Sequence, residues 1–386
     1  MFSIQTLNKI SSKGLELLPR DTYEIATELS NPDAILVRSF NMHDMELNSN
    51  LKAIARAGAG VNNIPIEKCT ERGIVVFNTP GANANAVKEL VLASLFLSSR
   101  KINSGISWTQ SLKGKGDEIA SLVEKGKSQF AGPEIKGKKL GVIGLGAIGV
   151  LVANDACALG MEVIGYDPFI SIDSAWELES KVEKAVSLDY LISTCDYITI
   201  HVPYNEKNSG MINKDKFELM KKGVRLLNFA RGGLVVKEDL LKAIENGTVS
   251  CYVTDFPEEE LLGNDKIITI PHLGASTPES EENCAIMAAS QLREFLEKGN
   301  IKNSVNFPDC ELPMSGTRII VAHDDVPNMF GQITSLLAQN NINIGDMLSK
   351  HRNKLGYTIL NVEDSITNEI IEKLKAIKGV RMVRVI

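Results

Sequence analysis

Two rhythms of apolar residues alternate along this chain. Short unbroken runs read as buried strands, and longer stretches with apolar positions three and four apart read as amphipathic helices. Near the N-terminus, runs at Ala34–Val37 and 51–56 predict strands and 90–97 predicts a helix. The run 107–133 is rich in Gly, Lys and Ser and reads as a partly helical connection. Strand Lys139–Ile143, helix 148–159 and strand Glu162–Tyr166 then make one βαβ unit, whose right-handed crossover implies a parallel sheet. Further strands are expected at 197–201, 224–227, 251–254 and 267–270, with helical stretches between them. The stretch 279–297 is a helix with Ala285, Ala288, Ala289, Leu292 and Leu296 on one face, and 300–313, with Pro308 and Pro313, is a linker. From Thr317 the spacing changes to strand 317–322, helix 328–340, strands 344–350 and 356–362, helix 367–378 and strand 380–385. That βαββαβ order fits a small ferredoxin-like module.

Composition narrows the classes. A chain of 386 residues, 44% hydrophobic and 23% charged, is long enough for two or three domains. Its net charge of −6 argues against a nucleic-acid binder, which needs basic surface to meet phosphates. The short lysine clusters at 113–115 and 136–139 read as solvated loops. Six scattered cysteines without metal-ligand spacing favour reduced thiols over a metal site or a disulfide framework. The N-terminus lacks the basic-then-apolar pattern of a signal peptide. The apolar stretch 90–97 falls well short of the roughly 20 residues that span a bilayer. A cytoplasmic protein without membrane contact is expected.

The chemistry sits after strands. GLGAIG (144–149) follows the first strand of the βαβ unit, the context that turns a weak glycine pattern into a dinucleotide loop of Rossmann type. Gly144 makes the turn, Gly146 lets backbone approach a pyrophosphate, and Gly149 allows close helix packing. Ala147 and Ile148 open the helix, whose free N–H groups suit phosphate. Asp167, at the end of the next strand, can take both ribose hydroxyls and would repel a 2′-phosphate, so NAD is expected rather than NADP. Three later strands end in NFARGG (228–233), FPEEE (256–260) and PHLGAST (271–277). Taken singly, Arg231 could be a surface cation, the glutamates a solvated run, and His272 a loop residue. Together at one sheet edge they supply a fork for a carboxylate, an acid to orient a ring, and an imidazole to exchange a hydroxyl proton.

The order GLGAIG, HVP (201–203), NFARGG, FPEEE and PHLGAST, with ARAGAGVNNI (55–64) and NTPGANA (78–84), resembles the D-isomer-specific 2-hydroxyacid dehydrogenases over nearly the whole chain. The resemblance implies a Rossmann-type NAD domain (98–273) inserted in a flavodoxin-like substrate domain (1–97, with 274–310 returning to it). A C-terminal ferredoxin-like module of ACT type (316–386) follows. It implies NAD-dependent oxidation of 3-phosphoglycerate to 3-phosphohydroxypyruvate, the first step of L-serine biosynthesis, in a homodimer or homotetramer. By position, Arg231 would bind the substrate carboxylate, His272 would exchange the proton, and Glu259 would pair with His272, with Glu260 the alternative. His201, Val202, Pro203, Ala230, Asp255 and Gly274 would line the cofactor cleft, Asp255 facing the nicotinamide amide. Arg38 and Ser39 would meet the substrate phosphate, and the loop around Ala59, Gly60 and Val61 would hold its carboxylate through backbone N–H groups. Lys88 is expected to add positive charge for the phosphate.

In the C-terminal block, HDDVPNM (323–329) and NIN (341–343) resemble the loops of amino-acid-binding ACT domains. That resemblance makes His323, Asp325 and Asn343 the candidate contacts to an L-serine effector, the alternative being an assembly module without ligand. Two other functions stay open on sequence. One is a dehydrogenase or reductase for another D-2-hydroxy acid such as glycerate or hydroxypyruvate. The other is a non-catalytic NAD-sensing protein on the same fold.

Overall fold

The N-terminal apolar runs form five parallel strands: β1 (Phe2–Leu7), β2 (Tyr23–Ala26), β3 (Ala34–Val37), β4 (Ala53–Arg56) and β5 (Val75–Phe77). Their order across the sheet is β2-β1-β3-β4-β5. β3 is buried at every position, as a strand is when both faces of a parallel sheet are covered. The long helix Pro278–Lys298 lies against β3 and β4. The predicted face, Ala285, Ala288, Ala289, Leu292 and Leu296, enters one core with Ile4, Leu36 and Ala55. The small alanines bring the helix close to the strands.

The second sheet has seven parallel strands: β6 (Lys139–Ile143), β7 (Glu162–Tyr166), β8 (Glu183–Lys184), β9 (Tyr197–Ile200), β10 (Val224–Asn228), β11 (Val249–Thr254) and β12 (Ile267–Thr269). β6 and β7 fall on their expected spans. The order β12-β11-β10-β9-β6-β7-β8 reverses direction of travel between β6 and β9. In such sheets ligands bind outside the carboxyl ends of the strands at that switch point. The expected connection around 107–133 is mostly helical, with Ile102–Ser111 and Ile119–Gly126 separated by a 3-10 turn at Gly116–Glu118 and followed by another at Lys127–Phe130.

The third sheet is antiparallel, ordered β14-β15-β13-β16, with β13 (Thr317–Asp324), β14 (Ile344–Arg352), β15 (Leu355–Val362) and β16 (Val380–Val385). Helices Met329–Gln339 and Asn368–Lys375 complete the βαββαβ order. One face, with Ile319, Val321, Leu360 and Val362, packs with residues of those helices such as Ile333 and Leu374. The other, with Ile320, Ala322, Tyr357 and Ile359, joins the core of the first sheet. β15 is consequently buried along its whole length.

Polar groups of this third sheet cap the end of the long helix, whose last carbonyls have no partner within the helix. Fully buried Arg318 donates to Lys298 O at 2.6 Å, Leu312 O at 2.8 Å, Pro313 O at 2.7 Å and Asn361 Oδ1 at 2.9 Å. Arg384 donates to Leu296 O at 2.9 Å and stacks on Phe295 with its guanidinium 4.7 Å from the ring centre. The Tyr357 hydroxyl donates to Gly299 O at 2.7 Å.

A computed structural model describes residues 1–386. It contains two units, Met1–Asn83 with Pro278–Ile386, and Ala84–Thr277. No helix is long and apolar enough to cross a membrane.

Candidate active site

The glycine loop has the form a pyrophosphate needs. Gly144 has φ +93°, and a Cβ there would lie 2.7 Å from His201 O, so only glycine fits both the turn and the approach. A Cβ on Gly149 would sit 1.9 Å from Gly144 O, which fixes glycine where the helix starts against the strand end. A Cβ on Gly146, by contrast, would meet nothing within 4 Å, leaving open space beside the backbone. Gly146 caps the helix Ala147–Ala158 without a side-chain hydrogen bond. The first N–H groups of that helix, at Ala147, Ile148 and Gly149, therefore face outward as donors. Asp167 follows β7, where its Oδ2 accepts from Leu145 N at 2.9 Å and its Oδ1 from Phe169 N at 2.8 Å. Each oxygen keeps a lone pair for a hydroxyl.

Beside this loop, β10, β11 and β12 end nearly flush, with Asn228 opposite Thr254 and Thr254 opposite Thr269. Their next residues deliver Arg231, Asp255 and His272. His272 Nδ1 lies 3.0 Å from Asp255 Oδ2. The carboxylate can only accept, so Nδ1 carries the proton and Nε2 is left for exchange with a ligand. The ring packs on Phe256, centroids 5.1 Å apart. The Arg231–Gly232 turn lies against Phe256 as well, since a Cβ on Gly232 would be 3.4 Å from Phe256 Cβ. The His272 pKa is raised above its ordinary 6.5, chiefly by the hydrogen bond to Asp255, with burial and the Arg231 charge working against it. Arg231 is exposed, its Nη1 donating to Ala230 O at 2.6 Å. Asp255 is 2% exposed, and its Oδ1 has no hydrogen-bond partner. That buried, unpartnered acceptor at the carboxyl edge of the sheet suits an amide N–H, so these residues fit NAD: the glycine loop for the pyrophosphate, Asp167 for the ribose, Asp255 for the nicotinamide amide.

Several expectations need correction. Neither Glu259 nor Glu260 partners His272. Asp255 does, because it leaves β11 directly beside the end of β12, whereas the glutamates lie beyond Pro257 in an exposed 3-10 turn. There Lys237 Nζ takes Glu258 Oε2 at 2.8 Å and Glu260 Oε1 at 2.9 Å. Lys88 is not free for a substrate phosphate. Its Nζ is 2.7 Å from Asp155 Oδ2 and its side chain is mostly buried, tying the helix Ala84–Ser99 to the helix Ala147–Ala158. His323 is fully buried, Nδ1 at 2.8 Å from Asp324 O and Nε2 at 2.9 Å from Thr358 Oγ1, so it presents nothing to an effector.

The remaining candidates lie as follows. His201 extends β9, with Nε2 2.9 Å from Thr199 Oγ1, and burial drives its pKa down to about 3, so the ring stays neutral. Val202 and Ala230 pack on the hydrophobic cluster below the second sheet, and Pro203 O accepts from Asn208 Nδ2. Gly274 sits under Val87, where a Cβ would be 3.1 Å from Cγ2. Arg38 Nη2 pairs with Glu281 Oε1 at 2.7 Å, and Ser39 N donates to Asn8 Oδ1 at 3.0 Å. Ala59, Gly60 and Val61 form the turn after β4, with Ala59 O accepting from Asn78 Nδ2 at 2.6 Å. Asp325 Oδ1 holds His351 Nδ1 at 3.0 Å, and Asn343 is exposed.

One positioning residue escaped the sequence reading. Asn228, fully buried at the end of β10, donates from Nδ2 to Arg231 O at 2.9 Å, and its Oδ1 accepts from Ala230 N at 3.2 Å. Thr254 Oγ1 in turn donates to Asn228 O at 3.0 Å. The signal was available: an amide side chain closing an apolar run must find partners at the next turn.

The family model for the NAD binding domain of D-isomer specific 2-hydroxyacid dehydrogenases matches residues 92–276. The chain is 38% identical over 301 residues to the D-3-phosphoglycerate dehydrogenase of Archaeoglobus fulgidus, covering 75% of this chain and 54% of that protein. It is 31% identical over 343 residues to the D-3-phosphoglycerate dehydrogenase of Haemophilus influenzae, covering 85% and 79%. The archaeal, cyanobacterial and Bacillus relatives are longer, and the chain spans 50–60% of their length. Among solved structures, the NAD+-bound 3-phosphoglycerate dehydrogenase of Entamoeba histolytica superposes with a TM-score of 0.61 at 25% identity, covering 79% of this chain and 98% of that one. With the glycine loop, the strand-end arginine and the Asp255–His272 pair all on one sheet edge, the chain belongs to the D-isomer-specific 2-hydroxyacid dehydrogenase family.

Proposed function

We propose that this protein oxidises 3-phosphoglycerate to 3-phosphohydroxypyruvate with NAD, the committed entry to serine biosynthesis, in the cytoplasm and as a homo-oligomer. The observation that carries the reading is the Asp255–His272 pair beside Arg231 at the carboxyl edge of the second sheet. Bound NAD supplies the hydride acceptor. His272 Nε2 takes the hydroxyl proton, Asp255 fixes the ring and favours the imidazolium that forms, and Arg231 holds the carboxylate next to the reacting carbon. The matched relatives, all named for this activity, support the choice of substrate. The C-terminal module is read as an ACT-type domain for an L-serine effector, with Asp325 and Asn343 as the exposed candidates. NADH formation with 3-phosphoglycerate, set against D-glycerate and other D-2-hydroxy acids, is the test. A higher kcat/KM for an unphosphorylated acid would reject the substrate, and no turnover of any acid would favour an NAD sensor.

Cofactor choice gives a second expectation. Asp167 accepts two backbone N–H groups and retains lone pairs for ribose, so NADP, with its extra phosphate, meets like charge. In Asp167→Ser the loss of hydrogen bonds to a charged acceptor, about 1.5–3 kcal/mol, raises KM for NAD roughly tenfold to a hundredfold while KM for NADP falls. Equal kcat/KM for the two cofactors in the unaltered protein would contradict this role.

A further inference from the structure

The opposite end of the second sheet carries an unexplained concentration of positive charge. Lys138, Lys221, Lys222 and Arg225 line one half-open cavity of about 170 Å³ at the amino ends of β6, β9 and β10. The only carboxylate among its lining residues is Asp196, and that group is already engaged. Its Oδ2 accepts from Lys139 N at 2.9 Å, and its Oδ1 meets Lys221 Nζ at 3.2 Å. Lys138 and Arg225 form no ion pair, and Lys222 spends its ammonium on neutral oxygens, Asn246 O at 3.2 Å and Thr248 Oγ1 at 3.0 Å. Four cations against one anion give this cavity a local charge of +3 in a chain whose net charge is −6.

The guanidinium is also held in place. Arg225 Nε donates to Ser98 O at 2.8 Å, and its plane sits over the Tyr197 ring, 5.2 Å from the centroid. The Tyr197 hydroxyl is itself fixed, 2.8 Å from Ser99 Oγ. With Nε engaged and Nη1 making only a 3.4 Å contact to Gly223 O, Nη2 keeps its donors for a ligand. A guanidinium fixed on an aromatic face, with ammonium groups around it, is an arrangement that suits tetrahedral oxyanions. The volume admits a small ion and excludes a nucleotide or a polymer.

We propose that the amino ends of β6, β9 and β10 form a binding site for a small phosphate-class dianion, either free phosphate or a phosphate monoester. The site is separate from the candidate active site. Arg225 is the second residue of β10 and Arg231 lies beyond its end, so at roughly 3.3 Å per residue the strand alone separates them by about 10 Å.

Titration calorimetry on the full chain, saturated with NADH, tests this with inorganic phosphate and with glycerol 3-phosphate. Both Lys138 and Lys222 are exposed and outside any ion pair, so Lys138→Ala/Lys222→Ala should fold normally. The expected result is saturable millimolar binding of at least one of the two probes, weakened tenfold or more in the double alanine variant and retained in Lys138→Arg/Lys222→Arg. The tighter probe identifies the source of the dianion. No saturable binding, or the same affinity in the alanine variant, overturns the proposal.

Discussion

His272→Ala is expected to lower kcat for alcohol oxidation by roughly 10²–10⁴-fold, the range that a positioned general base contributes. KM for NAD should change little, because the ring is not among the groups assigned to the cofactor. The sharper test is the pH profile. Oxidation needs neutral His272, whose pKa is raised above 6.5 first by the Asp255 hydrogen bond. For oxidation, kcat/KM should therefore fall as pH drops through an apparent pKa above 6.5, and for reduction it should fall as pH rises through the same value. Asp255→Asn removes the main raising influence and leaves burial and Arg231, which both lower the pKa. The acid limb should then move to below 6.5, with kcat reduced as the ring loses its orientation. An unmoved limb in Asp255→Asn, together with a moved one in Glu260→Gln, would hand the partnership back to the glutamate. Glu260 is held by Lys237 in this conformation, so Glu260→Gln is expected to leave the limb in place.

The parts legible in sequence were those governed by local rules. β6 and β7 could be placed to the residue because each is an apolar run bounded by a charge and a glycine or aspartate, and the glycine loop follows from turn sterics. Which carboxylate meets His272 was not local. It depends on the register of β11 against β12, where Thr254 faces Thr269, and on Lys237, a residue remote in sequence, which holds Glu260 together with Glu258. Lys88 was misread for the same reason, since its partner Asp155 is on a helix more than sixty residues on. His323 failed differently. The first strand of the module is expected to end at 322, which leaves His323 in the loop that follows, but β13 runs on to Asp324 and takes His323 into the sheet opposite Gly356. Here Ile319 and Val321 face the module's own helices while Ile320 and Ala322 face the core of the first sheet. No alternation reports such two-sided burial, and the strand's two further residues carry His323 into it.

Within that two-sided burial, Arg318 ties the third sheet to the end of the long helix and to the segment after it. Arg318→Leu is expected to cost at least about 3 kcal/mol of unfolding free energy, because each buried acceptor left without a donor costs about 1–3 kcal/mol. Lys298 O, Leu312 O and Asn361 Oδ1 would lose their donor, while Pro313 O would keep Asn361 Nδ2 at 2.9 Å. Arg318→Lys should recover only part of the loss, since an ammonium offers three donors in a cone where the guanidinium offers five in a plane. An exposed control such as Lys138→Ala should stay within about 0.5 kcal/mol. Urea unfolding of the three variants checks the ranking, and a loss below about 1 kcal/mol for Arg318→Leu would show that water takes over the orphaned carbonyls. The partners also set the pH response. Every acceptor of Arg318 is a carbonyl or amide oxygen rather than a carboxylate. The loss should therefore be constant from mildly acidic to mildly alkaline pH, whereas removing one side of a carboxylate pair would give a loss that fades as the acid group protonates.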